Sequence, residues 1–197
     1  MPFLIDNETF TPVISNERYE EIKEKVVETF EKYSVNCIPV NGFEIATKMG
    51  VNVIPYSAKD ESTRKKMQNF SPDGFCAMNN GIWHIFYNDE VKKYERINNT
   101  ILHEIGHIVL GHTEHSEVAE KEAKFFAKYA LVPPILVERL GIKSFERIID
   151  AFGVSYEAAY YAWDYYLKWS SGNTEHSKYE LRMLKLFGKF LAGGGVN

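Results

Sequence analysis

The chain has 197 residues, 45% of them hydrophobic and 25% charged, with a formal net charge of −4. This is the composition of a globular protein with one well-buried core, and the acidic balance argues against a dedicated nucleic-acid binder. Two cysteines, Cys37 and Cys76, exclude a disulfide framework, and no apolar run reaches the length of a membrane span. The N-terminus shows no basic segment followed by an apolar one, so a cytoplasmic protein with reduced thiols is expected.

In chain order, residues 1–14 read as a lead with partial disorder. Ser15 is placed to cap a first helix, with Glu17, Glu20 and Glu21 near its positive end. Tyr19, Ile22, Val26, Phe30 and Tyr33 then mark its buried stripe. Asn41 caps a short helix over Gly42–Met49, which Gly50 ends. Val51–Tyr56 reads as a strand that Pro55 confines to an edge or a strand end. The charged stretch 58–70 reads as a loop or an exposed helical turn. Gly74–Met78 and Ile82–Tyr87 flank Asn79-Asn80-Gly81, a strong hairpin signal. Ile82–Tyr87 is the strand expected to pair with an extended substrate through an exposed sheet edge.

The helix expected over Tyr94–Gly111 carries His103, Glu104 and His107 in the order His-Glu-x-x-His. Positions i and i+4 of a helix lie on one face, so both imidazoles can reach one metal ion, and Glu104 is placed as a general base toward water. Ile97, Ile101, Ile105 and Ile108 keep a helical apolar spacing through the motif, and Gly111 supplies the stop.

A catalytic zinc takes three protein ligands and keeps a fourth position open. The metzincin pattern needs a glycine three residues and a histidine six residues after the second histidine. Those positions hold Leu110 and Thr113, which excludes that class. The next helix, near Ser116–Leu131, offers Glu117, Glu120 and Glu122. Glu120 shares a face with Ala123, Ala127 and Ala130, small residues that allow close packing on the metal helix, and it is the expected third ligand. Glu122 points away with Phe126 and Tyr129 and, like Glu117, reads as a solvated carboxylate. His112 reads as a helix-ending residue, and His115 and His176 as surface residues. Tyr129, Tyr156, Tyr160 and His84 are all available as a second oxyanion donor, and the sequence does not choose among them.

The run from His103 to His112 is His-Glu-Ile-Gly-His-Ile-Val-Leu-Gly-His. It is followed by Glu-x-Glu-Ala at 120–123 and Phe-Ala-x-x-Ala-Leu-Val-Pro at 126–133. Together these resemble the ImmA/IrrE family of metallopeptidases. The likeness extends back to the helix–strand entry Asn41-Gly-Phe-Glu-Ile-Ala-x-x-Met-Gly-Val-x-Val53 and to Gly81-Ile-x-x-Ile-x-Tyr-Asn88. It implies a gluzincin-like zinc site of His103, His107 and Glu120 with Glu104 as base. It also implies a protein substrate, a helix-turn-helix repressor that silences mobile elements or stress genes. Two departures stand out. Lys124 occupies a position where such proteins often carry Asn or Asp, and before the motif only Arg96 and Thr100 match the usual arginine pair and Phe-Thr.

After Pro133-Pro134, helices are expected over 135–140, 144–152 and 155–169, broken at Gly141 and Gly153. Ile148–Ser155 resembles a helix-turn-helix entry. The helix after it carries two acids, one base and many aromatics, which suits packing rather than phosphate contact. Residues 170–174 read as a linker and 179–191 as a basic amphipathic helix docked on the core, with a mobile tail from Gly193.

The expected fold class is α+β: a zincin-like domain over 1–134, a packed helical bundle over 135–169, and a linker with a C-terminal helix over 170–197. The expected activity is that of a cytoplasmic zinc endopeptidase acting on a regulatory protein, without direct nucleic-acid binding or stable membrane insertion. The rival is a metal-containing regulator that binds its partner without cutting. The intact Glu104 favours the enzyme, since a purely structural site needs no base. Manganese or iron also suit two histidines and a carboxylate.

Overall fold

The computed structural model describes residues 13–172 and 175–193. Residues 1–12 of the expected lead over 1–14, the close of the linker at 173–174 and the tail after Gly193 fall outside them. Helix α1 (Asn16–Tyr33) begins where the Ser15 side chain accepts from the Arg18 amide, and it ends at Ser34 in the left-handed region, φ 55°. Ile22, Val26 and Phe30 of its stripe are buried, together with Val27. Helix α2 (Gly42–Lys48) is capped by Asn41, which accepts from the Phe43 and Glu44 amides.

That cap is tied to helix α4 (Tyr94–Leu110) by one buried amide. Asn98 accepts from the Gly42 N–H at 2.7 Å and donates to the Val40 carbonyl at 2.9 Å. Either backbone group left unpaired in the interior would cost about 1–3 kcal/mol.

Strands β1 (Asn52–Pro55), β2 (Gly74–Asn79) and β3 (Ile82–Tyr87) form a sheet in the order β1-β3-β2. β1 runs parallel to β3, and β2 runs antiparallel to it. The hairpin turn places Asn80 at φ 49° and Gly81 at φ 75°, as a two-residue turn matched to strand twist requires. Ile82–Tyr87 is therefore the central strand, paired on both sides, and it offers no edge to a substrate. Its near-continuous apolar run suits a fully paired strand, whereas Pro55, with no N–H to give, leaves β1 at the edge. The charged stretch before the hairpin is helix α3 (Glu61–Phe70), capped by Asp60, and it carries the crossover that lays β1 parallel to β3.

Val53, Cys76 and Ile85 lie in register on the sheet face that joins the core beneath α4. On the opposite face Phe75 stacks on Phe86, with ring centroids 5.1 Å apart, and meets Tyr56 and Phe70. Helix α5 (Glu117–Leu131), capped by Ser116, lies along α4. Ala123, Ala127 and Ala130 are buried there as their spacing predicts. The approach is close enough that a Cβ on Gly106 would stand 3.2 Å from Phe126.

Helices α6 (Pro134–Arg139), α7 (Phe145–Phe152) and α8 (Tyr156–Gly172) add Leu136, Val137, Ile148, Phe152 and Ala159 to the same core. α8 runs on through Gly172, so the first residues of the expected linker are helical. Its last turns have a partner, since Trp169 Nε1 donates to the buried Glu180 at 2.8 Å. The C-terminal pattern splits at buried Phe187 into α9 (Lys178–Leu186) and α10 (Gly188–Ala192). Tyr179 and Met183 pack inward, while Arg182 bonds Glu24 and Glu31 of α1. The architecture is the mixed α+β arrangement expected. No helix among the described residues is long and apolar enough to cross a membrane.

Candidate metal centre

α4 and α5 bring His103, His107 and Glu120 together, with one ligand atom from each inside a 4.8 Å cluster. The two Nε2 atoms stand 3.1 Å apart. Glu120 presents Oε2 to His103 at 3.3 Å and Oε1 to His107 at 3.2 Å. Burial pushes both imidazoles below the ordinary histidine range, against the pull of Glu120. Two neutral rings and a carboxylate then face one small volume. With the ring hydrogens on the outer nitrogens the set presents only lone pairs, which repel one another unless a cation sits among them, and two nitrogens with one oxygen suit zinc. The residues fit the metal that their spacing implies.

Glu104 lies beside this cluster on the side of the sheet and is only 5% exposed. Its carboxylate takes hydrogen bonds from the thiol and the backbone N–H of Cys76 on β2. Burial raises its pKa to about 7, a value poised for proton exchange near neutrality; a dication in the cluster would draw it down. Burial, and then the Glu104 charge, hold the Cys76 thiol well above the usual thiol range. Cys37 is exposed at the surface. In the folded protein at pH 8, iodoacetamide is expected to alkylate Cys37 and spare Cys76, as read by peptide mass. Equal labelling of both would contradict the packing of β2 on Glu104.

Two of the sequence readings change here, and a third residue gains a contact. Glu122 is not solvated: it is 6% exposed and receives Arg18 of α1 in two bonds, Nε to Oε1 at 2.8 Å and Nη2 to Oε2 at 2.6 Å. The reading that turns it away from α4 with Phe126 and Tyr129 is corrected as well: Phe126 packs against Gly106 of α4, and this side of α5 is interior. His112 does more than end a helix. Gly111 takes φ 72° and turns the chain back, which sets His112 Nδ1 2.9 Å from His107 Nδ1 and His112 Nε2 2.9 Å from Glu122. His115 is 85% exposed, as a surface residue should be, yet its Nδ1 lies 3.3 Å from Glu120 Oε1. Glu117 is exposed as expected. Lys124 is exposed too, and its charge opposes protonation of His103.

None of the four oxyanion candidates is brought to the cluster. Tyr129 is buried in the core, Tyr156 and Tyr160 are exposed around Phe145 on α7, and His84 lies on the sheet face away from α4.

The model of the IrrE N-terminal-like domain, a peptidase family, matches residues 46–164, well over half of the chain. The chain belongs to this ImmA/IrrE peptidase family. No curated protein matches it. Membership points to a metallopeptidase and hence to a protein substrate. The matched segment of this family member begins inside α2 and ends inside α8, so it spans the three clustered residues and Glu104. α1 and its Arg18 lie outside the match.

Proposed function

We propose that this family member is a zinc-dependent endopeptidase of the cytoplasm that cleaves a regulatory protein, a helix-turn-helix repressor of a mobile element or of stress genes. The observation that carries the peptidase reading is the convergence of His103, His107 and Glu120 beside a buried Glu104 in a chain of peptidase descent. The substrate clause rests on the resemblance to the ImmA/IrrE family. In this reading residues 1–134 are the peptidase unit, 135–169 a helical bundle against it, and 170–197 a C-terminal extension.

His103, His107 and Glu120 hold the metal. Zinc so held would polarise the scissile carbonyl and acidify the attacking water. Glu104 accepts the proton from that water and returns it to the leaving amine. Its bonds to Cys76 fix the carboxylate on the β2 side of the cluster.

The substrate strand lies along the outer edge of β2, in place of β3. Gly74 bonds Ser71 Oγ through both its N–H and its carbonyl, and the Cys76 N–H goes to Glu104, so this parity of β2 faces away from β3. Met78 continues it, two residues from the Glu104 contact. An extended peptide added there uses the Cys76 carbonyl and the backbone groups of Met78, next to the general base.

The test is metal content together with cleavage. Purified protein is analysed for zinc and incubated, with and without chelator, with helix-turn-helix repressors encoded beside its gene, and products are read by mass spectrometry. One zinc per chain and chelator-sensitive cleavage are expected. A bound repressor that stays intact would give the non-cutting regulator instead, and a protein that takes up no metal would end both readings.

A further inference from the structure

Among the described residues, it is the second ring nitrogen of His107 that leads from the cluster into a chain of polar groups that the reaction itself does not use. The chain starts on α1 and crosses α5. Arg18 donates twice to Glu122, His112 Nε2 meets Glu122 Oε2 at 2.9 Å, and His112 Nδ1 meets His107 Nδ1 at 2.9 Å.

We infer that Arg18, Glu122 and His112 are positioning residues that hold His107 as the Nδ1–H tautomer, with the lone pair of Nε2 turned to His103 and Glu120. This rests on the metal reading above and deepens it.

The direction of each bond follows from what each group can donate. A guanidinium only donates, so both Glu122 oxygens are acceptors and the group is a carboxylate. The nitrogen that His112 turns to that carboxylate must carry hydrogen. A His107 that gives Nε2 to the metal keeps its one hydrogen on Nδ1, so across the 2.9 Å contact His112 Nδ1 is the acceptor and its own hydrogen sits on Nε2, toward Glu122. Arg18, which also bonds Glu21, fixes the Glu122 carboxylate that orients His112. A carboxylate alone commonly orients such a ligand; here a second histidine extends the reach.

The geometry allows a selective test. A surface cavity of about 280 Å³ opens beside His112, between Gly111, Thr113, Ser116 and Ala119. It gives small molecules access to the space that a truncated side chain would leave. In metal-stripped wild type at pH 8, nitrogen-15 NMR of the ring should show His107 protonated at Nδ1. His112→Ala should shift that population toward Nε2–H and weaken zinc binding by about 10–100-fold in a chelator competition. Free imidazole should recover much of the loss. His112→Asn, whose Oδ1 stands where Nδ1 stood, should bind zinc within a few-fold of wild type. If the alanine variant does not fold, His112→Phe fills the space without an acceptor and should show the same loss.

A wild-type His107 protonated at Nε2 overturns the inference, as does a His112→Ala protein with unchanged tautomer and affinity. Wild type that keeps the Nδ1–H form and loses it in His112→Ala, yet takes up no zinc, would retain the chain and reject the metal reading.

Discussion

Glu104→Gln is expected to keep its metal and to lose peptide hydrolysis by about 10²–10⁴-fold, the usual share of a positioned general base. The substitution is nearly isosteric. It leaves His103, His107 and Glu120 in place, and the amide oxygen can still accept from the Cys76 N–H, so neither the fold nor the donor set changes. What disappears is the group that takes a proton from water. Glu104 itself is only 5% exposed, so bulk water is poorly placed to substitute for it. The measurement is turnover of a cleaved substrate beside zinc stoichiometry for both proteins. Cleavage within a few-fold of wild type at full zinc content would remove Glu104 from the chemistry. Loss of zinc along with activity would make it a structural group.

The second large effect is expected at Gly74, where β2 starts under α4. A Cβ there would stand 2.6 Å from Thr100 Cγ2 and 2.8 Å from the Phe86 carbonyl oxygen. Thr100 cannot swing away freely, because its Oγ1 is bonded to the Arg96 carbonyl, and the Phe86 oxygen belongs to the paired strand. Gly74→Ala therefore has to push β2 away from the helix. The expected cost is about 1–3 kcal/mol, as for other overpacked sites, at about 2–4 °C of Tm per kcal/mol in a chain of this size. Activity should fall further than stability, since Cys76, two residues on, holds Glu104. Gly188→Ala is the control, because a Cβ there meets nothing within 4 Å. Equal melting temperatures for Gly74→Ala and Gly188→Ala would show that β2 is not pinned.

The sequence makes some parts of the site readable for a physical reason. His103, Glu104 and His107 sit on one helix, where spacing alone fixes relative direction. Glu120 stands out among the carboxylates because its neighbours on one helix face, Ala123, Ala127 and Ala130, are small, and close helix packing needs small residues. The hairpin announced itself through Asn80-Gly81, which supplies the two left-handed residues the turn requires.

What was not readable depends on contacts between distant segments. Arg18 and Glu122 are 104 residues apart and carry no local pattern that links them. Glu122 sits in a run of charged residues and looks solvated until α1 is laid against α5. The return of His112 depends on one left-handed glycine, and nothing in the spacing from His107 shows it. β3 reads as an edge in the sequence because its pairing with β1 spans the whole α3 crossover, and parallel partners leave no turn signature.

The segment that carries the peptidase signature and the segment that folds have different lengths. The family match begins at residue 46, while Ile22, Val26 and Phe30 are buried in the same core as Ile101 and Ile105, and Arg18 reaches the interior at Glu122. A fragment trimmed to the matched limits would expose that face of the core and leave a buried carboxylate without its counter-charge. The catalytic motif is thus not portable by itself: the first helix, which carries no signature, belongs to its inheritance.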